Sequence, residues 1–218
     1  MKKTLLTIII LFLGTFSVSA QLYRYLDTQQ GLSSRRVIAV EKDQKGYMWF
    51  LTQEGVDRYN GKQFTNYTLS DGNRPVLHFP NLSQLHIDNQ DDIWVTGKNG
   101  FIFKYNQMLD KYDLVMNFAD SLKTKRRLPL THTSIDRQNN LWLCTRNAQY
   151  IYRTDTKHVI KLETPIKEEV FYIEQAKGNR YFFGTRENVY VAMLKGNQLI
   201  LEPEHTISNI HRVQHIHY

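Results

Sequence analysis

The 218-residue chain carries 28 basic and 21 acidic side chains, a formal charge of +7, with 41% hydrophobic and 12% aromatic residues. That is ample for a packed core and excludes a low-complexity or disordered class. One cysteine, Cys144, excludes an internal disulfide framework, and its apolar surroundings read it as a small packing residue.

Residues 1–20 read as a secretory signal peptide. Lys2 and Lys3 form a basic start, residues 4–16 an apolar run, and Val18-Ser19-Ala20 a small-residue cleavage site. The run is shorter than the ~20 residues of a membrane span. The expected location is therefore periplasmic or otherwise extracytoplasmic. Export makes nucleic acid a poor partner despite the basic cluster Lys123, Lys125, Arg126 and Arg127.

Residues 21–218 repeat themselves. An apolar strand leads to Asp43, then a turn through Gly46, then Trp49 and Thr52, with Gly55 six residues after the Trp and an Asn60-Gly61 turn. Asp88, Trp94 and Gly100 return at the same offsets, and Asp136 precedes Trp142 by six. In a fourth copy Phe182 replaces the Trp and Ala176 the Asp. The anchors Trp49, Trp94, Trp142 and Phe182 are spaced by 45, 48 and 40 residues.

Such a period, built from short strands, is the pattern of β-propeller blades, and 3.6-residue helical patterning is absent. The expected fold is all-β: four-stranded antiparallel blades, about four of them plus the start of a fifth. The approximate units are 32–70, 76–120, 130–162, 168–203 and a partial unit 204–218. In the first, strands are expected over residues 37–41, 47–52, 56–59 and 63–67. Residues 23–26 read as an outer strand without a blade of its own, and the partial last unit reads as a truncated propeller. Thr52, Thr96, Thr145 and Thr185 are expected to satisfy hydrogen bonds within their own blades.

The first unit, above all residues 43–61, resembles the two-component regulator propeller repeat. The resemblance implies the periplasmic sensor region of a hybrid two-component histidine kinase of Bacteroidetes type, responsive to oligosaccharides. Proteins of this family continue through further blades, a Tyr-rich β-sandwich, a membrane helix and a kinase core. It further implies homodimers, membrane attachment only through a downstream helix, and no catalysis or cofactor in the propeller itself. A free-standing exported binding propeller and a propeller enzyme are the competing readings.

No set of residues reads as an active site. The repeated Asp, Trp and Gly positions read as structural anchors, since a position conserved between repeats packs blade on blade. Asp88, Asn89, Asp91 and Asp92 lack the full ligand spacing of a calcium loop and read as a polar turn. His205, His211, His215 and His217 form the one histidine cluster, read as strand rather than metal site. The turns at Gln53-Glu54 and Lys98-Asn99 are candidate ligand contacts.

Overall fold

The computed structural model describes residues 24–70, 75–77, 82–124 and 128–208; the signal-peptide segment and His211, His215 and His217 lie outside them. Nearly all regular structure is β-strand, in four meandering antiparallel sheets. Sheet 1 comprises β1 (Val37–Lys42), β2 (Met48–Thr52), β3 (Val56–Tyr59) and β4 (Phe64–Tyr67). A small hairpin follows, β5 (Leu69–Ser70) with β6 (Pro75–Leu77). Sheet 2 comprises β7 (Leu82–Ile87), β8 (Ile93–Gly97), β9 (Phe101–Asn106) and β10 (Lys111–Asn117), and a single helical turn, α1 (Phe118–Ser121), leads away from it. Sheet 3 runs β11 (Leu130–Ile135), β12 (Leu141–Thr145), β13 (Ala148–Arg153), β14 (His158–Lys161); sheet 4 runs β15 (Tyr172–Gln175), β16 (Arg180–Gly184), β17 (Asn188–Lys195), β18 (Gln198–Leu201).

The two middle sheets are apolar on both faces because each is sandwiched between neighbours. The core accordingly falls into three clusters, one per junction. Trp49, Leu51 and Val56 of sheet 1 meet Leu85, Val95 and Phe103 of sheet 2. Trp94 and Ile102 of sheet 2 meet Leu141, Leu143 and Tyr150 of sheet 3. Trp142, Cys144 and Ile151 of sheet 3 meet Ile173, Tyr181 and Phe183 of sheet 4. Every Trp thus faces the next sheet in sequence. The first strands β1, β7, β11 and β15 stand side by side in that order.

Two expectations about the ends change. Arg24, Tyr25 and Leu26 form no strand: Arg24 donates to the Gly61 carbonyl at 2.9 Å, and Tyr25 is 88% exposed. The segment that follows bends over sheet 1 instead, where the Ser33 backbone and hydroxyl both donate to Asp57. Beyond sheet 4, Pro203–His205 is a 3-10 turn and β19 (Ile207–Ser208) pairs with Val189 and Asn188 of β17. The described part of residues 204–218 therefore prolongs the outer edge of sheet 4. Ile38 and Val40, at 36% and 44% exposure, leave the free face of sheet 1 apolar.

Candidate functional site

The spacing of six between Asp and Trp has a direct physical cause. In each of three sheets the Asp ends the first strand, and the Trp of the second strand folds back to donate its indole N–H to the carboxylate. The distances are 2.8 Å for Trp49 to Asp43, 2.9 Å for Trp94 to Asp88 and 3.1 Å for Trp142 to Asp136. The other carboxylate oxygen accepts the backbone N–H of Tyr47, Asp92 or Asn140, closing the turn. Donor and acceptor thus satisfy each other where neither meets water. In sheet 4 both are lost together: the turn keeps its backbone bond, Ala176 N–H to the Arg180 carbonyl at 2.9 Å, with Ala176 and Phe182 in the two positions. All six residues of the three pairs are buried, which makes them anchors.

Gly55 and Gly100 are anchors of another kind. A Cβ on Gly55, at φ +151°, would lie 2.4 Å from the Tyr67 carbonyl oxygen, and one on Gly100 would lie 3.2 Å from Phe118 Cβ. Thr145 and Thr185 donate to the carbonyls of Ala148 and Asn188 within their own turns, and Thr52 does so more loosely to Gly55. Thr96 departs from this. It stands two residues after its Trp rather than three, so it faces sheet 3 and bonds Thr133 there at 2.7 Å.

The turn at Asp88, Asn89, Asp91 and Asp92 joins sheets. Asp91 accepts from Gln44 N–H, Asn89 donates to the Arg137 carbonyl, and Asp92 pairs with Lys104 at 2.5 Å. His205 lies beside Glu202 and Glu204. Among the described residues no three His, Cys, Asp or Glu side chains are grouped to hold a metal. Gln53 and Lys98 lie in equivalent turns, after β2 and β8: Gln53 N–H donates to the Arg36 carbonyl and the Lys98 carbonyl accepts from Leu130 N–H.

The sequence reading missed the residue that faces each Trp across the next strand. Trp49 is opposite Arg58, Trp94 opposite Lys104, and Trp142 opposite Ile151. Between sheets 1 and 2 the cation covers the tryptophan. The Arg58 guanidinium lies 5.2 to 5.8 Å from the rings of Tyr47, Trp49, Tyr67 and Tyr105, and reaches Tyr105 Oη at 2.6 Å and Asp110 at 3.1 Å. Tyr67 and Tyr105 also donate to Asp110. These hydrogen bonds, with Arg58 beside them, hold the Asp110 carboxyl below the ordinary carboxylate range, while burial pushes the Tyr67 phenol up. About 150 Å³ of space is left beside Trp49, Arg58 and Tyr105, and a separate space of about 550 Å³ lies toward the outer strands beside Tyr67 and Asp110.

Between sheets 2 and 3 the equivalent place is open. Lys104 stands for Arg58, and Met116, opposite Ile102, stands where Tyr67 stands opposite Val56. Lys157 stands for Asp110: both residues occupy the left-handed position of the turn between third and fourth strands, at φ 56° and 47°. Lys104, with no carboxylate offered from that turn position, lies 5.1 Å over Trp94 and turns back to Asp92. A groove of about 850 Å³ results, with Trp94 and Tyr152 in its floor. Between sheets 3 and 4 Ile151, Leu162, Leu194 and Tyr181 pack solidly, and the Tyr181 hydroxyl donates to Asp136 at 3.1 Å.

A polar network joins the first strands. The Gln84 carbonyl oxygen accepts from Thr133 N–H at 2.5 Å, and its amide lies 3.1 Å from His132 Nδ1. His86 Nε2 is 2.9 Å from Thr133 Oγ1, and Ile173 N–H donates to His132 Nε2. Burial lowers the His86 pKa to about 4, and burial with His86 nearby lowers that of His132 to about 3. Both rings are therefore neutral near pH 7.

No protein-family model matches the chain, and no curated protein matches its sequence. Solved structures do match. The extracellular domain of a hybrid two-component system of B. thetaiotaomicron superposes with a TM-score of 0.64 at 18% identity, covering 82% of this chain and 26% of its own. PorZ, a surface component of the type-IX secretion system of Porphyromonas gingivalis, gives 0.61 at 15% identity, over 81% and 23%. Virginiamycin B lyase from Staphylococcus aureus gives 0.58 at 13% identity, over 79% and 57%. The fold is the β-propeller. This propeller chain spans about a quarter of the two-component extracellular domain it matches.

Proposed function

We propose that this chain is the extracytoplasmic ligand-sensing propeller region of a two-component, hybrid histidine kinase system, and that it responds to carbohydrate. The observation that carries this reading is the fold likeness to extracellular domains of two B. thetaiotaomicron hybrid two-component systems, over 82% and 81% of this chain. The repeat pattern of residues 43–61 supports it independently. The role of the propeller would be recognition rather than catalysis, with ligand binding shifting the arrangement of a downstream kinase dimer. No cofactor is required for that role.

The test is an in-frame deletion of residues 24–208 in the native host, followed by transcript profiling during growth on a panel of defined polysaccharides. The expected result is loss of induction on one polysaccharide, with the other responses intact. Unchanged induction throughout would overturn the reading and favour a free-standing exported binding propeller.

A further inference from the structure

Three equivalent junctions exist between the four sheets, and in two of them the space over the second-strand anchor, Trp49 or Trp142, is taken up by side chains. Arg58 with its tyrosines covers Trp49 in the first, leaving about 150 Å³ there and about 550 Å³ nearer the outer strands, and Ile151, Leu162 and Tyr181 pack over Trp142 in the third. The second departs at three positions at once, Lys104, Met116 and Lys157, and each departure removes part of the plug. Arginine spreads a planar, multiply bonding group across a gap; lysine presents one compact charge on a flexible stem. Tyrosine fills where methionine yields. A lysine in place of Asp110 turns attraction for the strand cation into repulsion.

We propose that the groove between sheets 2 and 3 binds a neutral, polyhydroxylated ligand: a short oligosaccharide. This rests on the carbohydrate-sensing reading above and gives it a site. About 850 Å³ lies within the range of small-molecule pockets, roughly 300–1,000 Å³. The charges of its lining nearly cancel. Asp92 is paired with Lys104, Asp88 is taken up by Trp94, and Asp155 stands two residues from Lys157. A polyanion or polycation would find no complementary field there. What the groove offers is hydrogen-bonding variety beside a greasy strip. Gln90, Asn139, Thr154 and Asp155 line it together with Leu114, Met116 and Val159. A pyranose has the same two characters, a rim of hydroxyls and faces of C–H.

The experiment is calorimetric titration of the chain with maltotriose, cellotriose, xylotriose and mannotriose, with its tryptophan fluorescence followed in parallel. Two variants accompany it. The triple variant Lys104→Arg, Met116→Tyr, Lys157→Asp rebuilds the plug of the first junction, and Asp155→Ala removes one exposed hydrogen-bonding group. The expected result is binding of at least one trisaccharide, its abolition in the triple variant, and about tenfold weaker binding in Asp155→Ala. Equal binding by a folded triple variant overturns the groove as the site and leaves carbohydrate sensing standing. If the triple variant does not fold, undiminished binding by Asp155→Ala overturns it instead. Binding of none of the four by the unmodified chain overturns the ligand class, and the transcriptional test decides separately whether sensing falls with it.

Discussion

Tyr181 of sheet 4 donates its phenol hydrogen, at 3.1 Å, to the same Asp136 oxygen of sheet 3 that accepts the Trp142 indole. One carboxylate thereby holds its own sheet's turn and the next sheet's second strand. Asp136→Ala leaves the indole, the phenol and the Asn140 side chain without their acceptor. It should cost about 3 kcal/mol in urea unfolding, against about 1 kcal/mol for Tyr181→Phe. Equal costs would mean that the carboxylate acts on Tyr181 alone.

Gln149 gives a prediction of opposite sign. It lies in β13 opposite Cys144, fully buried, and neither atom of its amide has a hydrogen-bond partner among the described residues. The equivalent positions carry Val56 and Ile102. Gln149→Val should raise stability by about 1–3 kcal/mol, read from the urea midpoint at unchanged slope. A fall in the midpoint would contradict this account.

The glycines separate two causes of strain. Gly55→Ala drives a methyl into the Tyr67 carbonyl, whereas Gly46, at φ +88°, has open space around it. Gly55→Ala should therefore destabilise by about 3 kcal/mol or more and Gly46→Ala by about 1 kcal/mol. Thermal denaturation of the two variants checks the ranking.

Acid should loosen the contacts between the first strands. The native pKa values of His86 and His132 lie near 4 and 3, below the ~6.5 of an unfolded histidine. Between those limits the unfolded chain binds protons that the native chain does not, so stability is full above pH ~6.5 and falls as pH drops toward 4. The loss is at most about 3 kcal/mol for His86, and His86→Gln should flatten this part of a stability-against-pH curve. An unflattened curve would place the acid sensitivity elsewhere.

The strand order and the paired anchors were legible in the sequence because they rest on local rules. The third strand of sheet 1 falls on residues 56–59 as the turn signals place it, and the Asp-to-Trp spacing is the length of one tight turn. The groove was not legible. It depends on aligning Arg58 with Lys104, which stand nine and ten residues after their tryptophans, and on a bulge between Leu114 and Met116 that shifts the register of β10. Thr96 misled for the same reason: one residue of slip puts a side chain on the other face of a strand. The edge segments misled because residues 24–36 meet tertiary partners, Gly61 and Asp57, that no local pattern announces.

Each tryptophan is clamped by an aspartate of its own sheet yet faces the following one. The junctions therefore have a direction. A sheet finishes its forward surface from residues already behind it in the chain and presents that surface complete to whatever is made next. As the polypeptide is delivered N-terminal end first, each unit becomes a template awaiting its successor, and assembly can proceed from the first sheet to the last.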